Sequence, residues 1–285
     1  MGPHRRHLLS LMAAALAVPA LGQPRPDLPP EIADPRVSHF AFGPRDDQWR
    51  ILVGLPDAPP PAQGYSAILA LDGGRSFPHF WRHRESGAPQ APVILFGIGY
   101  EGANRRWRDL TSRAMAPVVP IAFYRPPPAD RLTGGRDAFL MMIADMLLPE
   151  LERRYPLDRG DMTIYGHSLG GLFVLHALFS RPRLFARYVA ADPSVWWNAG
   201  ESQREAQAFA GGVAAAGGLI DPTIPVMIAQ AGLARQDHPH DPTSLVRILS
   251  RIRGLEVMYR PYPQESHGTL MKPSTADALN LHLSR

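Results

Sequence analysis

Asp161-Met162-Thr163-Ile164-Tyr165-Gly166-His167-Ser168-Leu169-Gly170-Gly171-Leu172 is the stretch on which the fold of this chain turns. Residues 162–165 form a short β-prone run suited to a buried strand, and 169–179 carries apolar side chains at helical spacing. Between them stands Gly166-x-Ser168-x-Gly170. A strand that passes into a helix within so few residues must turn sharply, which leaves Ser168 on a strained bend with its hydroxyl outward. Glycine at 166 and at 170 leaves room where a Cβ is expected to collide across the bend. A serine hydroxyl is a poor nucleophile alone, so the pattern asks for a base elsewhere in the chain.

His267, in Gln264-Glu265-Ser266-His267-Gly268, follows the last expected strand and precedes the terminal helix. In α/β hydrolases the chain order is serine, acid, histidine, and His267 fits that place as the base. His167 is committed to the bend and is expected to pack beneath it, while His176 on the following helix reads as structural. For the acid, Asp237 follows the 225–230 strand and is the first choice, with Asp241 second. Asp192, closing the 188–191 strand, is a topological alternative. Glu265 reads as a group that orders the histidine loop, and a serine–histidine dyad is a further option. A tetrahedral intermediate needs two donors for its oxyanion, and the backbone N–H groups of Leu169 and Gly74 are the candidates.

The rest of the chain frames this site. With 285 residues, 45% of them hydrophobic and 20% charged, it has the size and composition of a single globular domain. Strands are expected over 37–42 and 48–55 as an antiparallel pair, then over 65–71, 93–98, 188–191, 225–230 and 255–259. Helices are expected over 77–84, 139–155 with Pro149 interrupting it, 201–210, 243–253, and from 274 onward. Residues 99–128 read as a long irregular excursion, and the Gly/Ala run to 218 as a mobile connector. Continuous apolar strands alternating with helices predict an α/β fold, a mostly parallel sheet with helices on both faces.

That domain is assigned to 37–285, after a Pro-rich lead-in over 23–36. Residues 1–22 read as a cleavable signal peptide. His4-Arg5-Arg6-His7 is basic, 8–18 is apolar but too short to span a bilayer, and Ala20-Leu21-Gly22 offers small residues at a cleavage site. The expectation is a periplasmic or secreted protein with no stable membrane insertion, and Arg5-Arg6 permits a twin-arginine route.

The absence of cysteine excludes disulfides, thiolate catalysis and Cys-ligated metals. Net charge is +4, and the basic residues are arginines scattered along the chain, apart from Lys272 and the cluster Arg105-Arg106-Trp107-Arg108. No nucleic-acid motif accompanies them, so no nucleic-acid partner is expected. Asp237-His238-Pro239-His240-Asp241 reads as a polar surface loop rather than a metal site. No metal or cofactor is called for.

Further pieces join the serine motif in order: Leu71-Asp72-Gly73-Gly74, Gly97-Ile98-Gly99-Tyr100, Arg108-Asp109-Leu110-Thr111 and Gly134-Gly135-Arg136-Asp137-Ala138-Phe139. After Gly166–Gly170 come Pro193-Ser194-Val195-Trp196-Trp197 and Glu265-Ser266-His267. Together they resemble the esterase family that includes esterase D-like enzymes and the trilactone siderophore esterases of bacteria. The resemblance runs from about Val37 to the C-terminus. It implies an α/β-hydrolase fold and hydrolysis of carboxylic esters through an acyl-Ser168 intermediate, with His267 as base and Gly74 and Leu169 around the oxyanion.

One departure stands out. Siderophore-type relatives often carry Gly-x-x-Glu after the penultimate strand, whereas here Gly232 is followed three residues later by Arg235, which leaves the acid and the substrate open. A ferric catecholate siderophore is an anionic, aromatic small-molecule ester. Arg75 and Arg106, in a group with Arg105, Arg108 and Trp107, are its candidate partners, with Trp196 and Trp197 as walls. Acyl transfer on the same site and non-catalytic siderophore binding are the alternative readings.

Overall fold

Strands that are apolar at every position need cover on both sides, and the residues of this sheet alternate between two cores accordingly. The computed structural model describes residues 34–115, 126–233 and 241–284. Residues 1–33, which hold the expected signal peptide and most of the expected lead-in, and the loop residues Asp237, His238 and His240 lie outside them. The strands are β1 (Val37–Phe42), β2 (Trp49–Gly54), β3 (Tyr65–Leu71), β4 (Val93–Tyr100), β5 (Leu157–His167), β6 (Arg187–Ala191), β7 (Leu219–Ala231) and β8 (Arg253–Tyr262). They form one sheet in the order β1-β2-β4-β3-β5-β6-β7-β8. β2 pairs antiparallel with β1 and β4, and the remaining pairs are parallel.

The helices are α1 (Gly73–Gly87), α2 (Arg106–Leu110), α3 (Arg136–Met141), α4 (Leu148–Arg154), α5 (Leu169–Ser180), α6 (Glu201–Ala215), α7 (Pro242–Leu249) and α8 (Met271–Leu283). Ile68, Ala70, Leu95, Tyr165 and Val189 share a core with Phe77, Phe80 and Trp81 of α1 and Leu279 of α8. Leu69, Leu71, Phe96, Ile164 and Ala190 face the other way, onto Leu110, Phe139, Leu151, Phe173, Ala206 and Leu245 of α2 through α7. Truncating a fully buried strand residue such as Ile164 to alanine is expected to cost about 2–5 kcal/mol through lost burial and the cavity left behind.

Three expectations are corrected. The interruption of the 139–155 helix lies before Pro149: over Met142–Leu147 the helical hydrogen bonds widen to i→i+5. Pro149 then sits in the first turn of α4, where its missing N–H is tolerated. The Gly/Ala run is largely helical, because α6 continues to Ala215 with Phe209 and Val213 packed on the core. Their burial offsets the roughly 1 kcal/mol that each of Gly211 and Gly212 costs a helix. The excursion after β4 also contains a short helix, α2, tied to the sheet by Trp49 Nε1–H donating to buried Asp109 at 2.9 Å.

The sheet order places the site. From β3 the chain moves outward to β4, then returns to the other side of β3 as β5. At such a reversal the connections leave in opposite directions and open a crevice beyond the strands' carboxyl ends. Leu71 and His167 end the two strands that flank it, so α1 and α5 both start at its edge.

Candidate active site

Ser168 stands between β5 and α5 at φ 62 and ψ −119, a conformation costly for a residue with a side chain. It is held by its neighbours. Its N–H donates to the Ala191 carbonyl at 2.9 Å, and its own carbonyl accepts from Leu172 and Ser194, each at 3.0 Å. A Cβ on Gly166 would lie 2.2 Å from the Gly170 carbonyl oxygen, so that glycine is obligatory. At Gly170 the expectation changes: a Cβ would meet its nearest atoms at 3.5 Å, an ordinary contact. The tighter place is Gly171, where it would come within 3.0 Å of Pro193 Cα.

The Ser168 hydroxyl lies 3.0 Å from Nε2 of His267. Nδ1 of that imidazole lies 2.5 Å from Oδ2 of Asp192. A carboxylate only accepts, so Nδ1 carries the proton and Nε2 is left bare toward the serine. The carboxylate on His267 is therefore that of Asp192, in the place first given to Asp237, which lies outside the described residues. Asp241 caps α7 instead, accepting from Thr243 N–H at 2.9 Å. Asp192 is well placed because β6 adjoins β5 and ends level with it. Its other oxygen accepts the Ala231 N–H at 3.1 Å, and its side chain is only 11% exposed. Glu265 ties the histidine loop down through its backbone, which bonds Tyr262 and Leu233.

Leu169 opens α5 and Gly74 lies in the first turn of α1, so both N–H groups belong to the set that has no carbonyl partner within its helix. The two helix starts adjoin, since the Asp72 carboxylate approaches Gly170. Asp72 itself takes a left-handed φ of 50. Its nearly buried carboxylate receives both Nε and Nη2 of Arg106 at 2.9 Å.

That pairing changes the reading of the basic cluster. Arg106 is bound to Asp72, Arg105 to Asp47, and Arg108 to Asp109 and Asp47. These arginines brace the loops of the site. Arg75 differs, being exposed and forming no ion pair among the described residues. Trp197 is a core residue, 1% exposed, with its Nε1–H donating to Ser112. Trp196 is half-buried, edge-on to Trp197, and Trp107 packs tilted against Trp197.

Three features escaped the sequence reading. The Ser194 hydroxyl lies 3.3 Å from that of Ser168; its place in the Pro193–Trp197 segment was the available signal. The Asp72–Arg106 pair is the second, and no spacing rule links those positions. The third is a bond of His167: the residue is 3% exposed beneath the bend, as expected, and bonds there through Nε2 to the backbone carbonyl of His267 at 2.7 Å. The two imidazoles lie 4.6 Å apart. Burial, and then the neighbouring His267, pushes the His167 pKa down to about 4. His176 is buried against Asp137 at 2.9 Å, and desolvation lowers it to about 4 as well.

A hydroxyl facing a bare imidazole nitrogen, with a carboxylate behind the ring, can activate a serine for attack on an acyl carbon. The sheet and its flanking helices define an α/β-hydrolase fold. Within that class the chain belongs to the family described as "Putative esterase", whose model matches residues 46–223. It is similar to the ferri-bacillibactin esterase BesA of Bacillus subtilis, 36% identical over 161 residues that make up 53% of this chain and 55% of that protein. It is also similar to the siderophore enterobactin esterase of Emericella nidulans, 34% identical over 186 residues, 61% of this chain and 59% of that one. The matches thus span little more than half the length of these curated relatives. Among solved structures, the BES protein from Bacillus cereus superposes with a TM-score of 0.72 at 24% identity, covering 88% of this chain and 97% of that one.

Proposed function

We propose that this protein hydrolyses carboxylic esters through an acyl-Ser168 intermediate. The observation that carries the reading is the continuous line Ser168–His267–Asp192, with separations of 3.0 and 2.5 Å. Ser168 Oγ attacks the ester carbonyl while His267 Nε2 takes its proton. The resulting imidazolium is stabilised by Asp192, which keeps its own charge. Negative charge on the carbonyl oxygen meets the N–H groups of Leu169 and Gly74, each such donor contributing about 10²–10³ in rate. His267 then gives the proton to the leaving alcohol. A water molecule, activated by the same nitrogen, releases the acid.

The substrate proposed is a siderophore ester of the trilactone kind. The names of the relatives from Bacillus and Emericella support a siderophore ester, and exposed Arg75, beside Gly74, suits an anionic ligand. The basic and apolar start of the chain supports export to the periplasm or beyond.

The test compares wild type with Ser168→Ala on short p-nitrophenyl esters and on ferric trilactone siderophores, with a fluorophosphonate probe alongside. The variant is expected to lose both turnover and labelling. Turnover retained by the alanine variant would overturn the mechanism.

A further inference from the structure

Side chains two residues apart on a strand share a face. On β5, Thr163, Tyr165 and His167 all point to the side covered by α8, and each makes a hydrogen bond to the C-terminal segment. Thr163 Oγ1 meets His282 Nδ1 at 2.9 Å, Tyr165 Oη meets Ser274 Oγ at 2.8 Å, and His167 Nε2 meets the His267 carbonyl at 2.7 Å. All three are buried. The rungs climb the nucleophile strand toward Ser168 as the partners descend the C-terminal segment toward His267.

We infer that these residues form a ladder that registers the segment bearing His267 against the nucleophile strand, and that His167, its last rung, is a positioning residue for the base. The inference rests on the proposed ester chemistry. The His267 side chain is 52% exposed, so packing alone does not fix it. The other loop bonds hold its neighbours: Ser266 N–H to Thr269 Oγ1, Leu270 N–H to the Ser266 carbonyl, and Leu233 N–H to the Glu265 carbonyl. The peptide of His267 itself is held by His167, whose ring also lies against the imidazole.

The tautomer follows from the partner. A carbonyl only accepts, so the His167 proton is on Nε2 and Nδ1 is bare. That buried Nδ1 has no hydrogen-bond partner among the described residues. An apolar side chain would fill the space without the loss, which makes His167 a poor choice for stability alone. Burial keeps the ring neutral near neutral pH, so it adds no charge beside His267 as that residue accepts a proton.

The test uses the full protein and three variants. Gln places an N–H donor near the position of Nε2, Asn falls a methylene short of the carbonyl, and Leu has no donor. His167→Leu and His167→Asn are expected to lower kcat roughly 10- to 100-fold with KM within about twofold, as for a misplaced catalytic group. His167→Gln should recover most of that loss, and melting temperatures should not follow kcat. The downfield imidazole N–H resonance between His267 and Asp192 should persist in His167→Gln and broaden or shift in His167→Asn. Unchanged kcat in both His167→Leu and His167→Asn, or Gln as impaired as Asn, would overturn the inference. If wild type shows neither turnover nor labelling of Ser168, the ester reading has failed, and the resonance then decides for or against the ladder by itself.

Discussion

Asp192 Oδ2 lies 2.5 Å from Nδ1 of His267, although the two residues are 75 positions apart in the chain. The approach is made by β6, which delivers Asp192 beside the nucleophile strand, and by the loop after β8, which brings His267 across to it. Replacing Asp192 with Asn leaves an amide where the charge stood and favours the wrong tautomer of the base. Asp192→Asn is therefore expected to lower kcat by about 10³–10⁴ with little change in KM. Asp237→Asn should stay within about twofold of wild type. Asp241→Asn should also keep its activity, since Asn caps a helix about as well as Asp. Steady-state kinetics on one soluble ester checks all three, and full activity in Asp192→Asn would contradict the assignment.

The frame of this site was legible because its signals are local. Buried parallel strands are written as unbroken apolar runs, and β3 was bounded as it stands. Ser168 and His267 were legible from their positions at a strand end and before the last helix. The acid was not, because Asp192 and Asp237 both follow strands. Choosing between them depends on which strand ends within reach of His267. That distance is set by the order of the sheet, which no local pattern encodes. The ion pairs of Arg106 and Arg108 were hidden for a similar reason: an Arg-rich run looks the same whether it meets a ligand or buried carboxylates such as Asp72 and Asp109.

Arg106 and Arg75 should separate in their effects. Arg106 neutralises a carboxylate whose side chain is 6% exposed, next to Gly73 and Gly74. Removing it as Arg106→Ala strands that charge and is expected to cost about 3 kcal/mol of stability and to lower kcat on every ester. Arg75→Ala touches no ion pair among the described residues, so melting should be unchanged and any effect should fall on KM for anionic substrates. Denaturant unfolding and kinetics on a neutral and an anionic ester distinguish the two. A pure KM effect in Arg106→Ala would restore it as a substrate contact.

The buried His167 gives stability a defined pH dependence. Its pKa falls from 6.5 to about 4 on folding. Between those values the unfolded chain binds more protons than the folded one, so stability is fully present above about pH 6.5 and declines as the pH falls toward 4. The contribution of this one ring is of the order of 3 kcal/mol, and buried His176 acts with the same sign. Urea unfolding from pH 7 to pH 4 should show a shallower decline for His167→Gln than for wild type. Equal slopes would contradict the burial of a neutral imidazole at this position.

The most direct test of the central claim is intact-mass spectrometry of the protein quenched during turnover of a slowly hydrolysed p-nitrophenyl ester. A single added acyl group per chain is expected, mapped to the peptide containing Ser168, appearing with the burst of nitrophenol and decaying at the turnover rate. The acyl group should be absent from Ser168→Ala and form far more slowly in Asp192→Asn. Turnover at the wild-type rate with no acyl group on Ser168 at any time would contradict it.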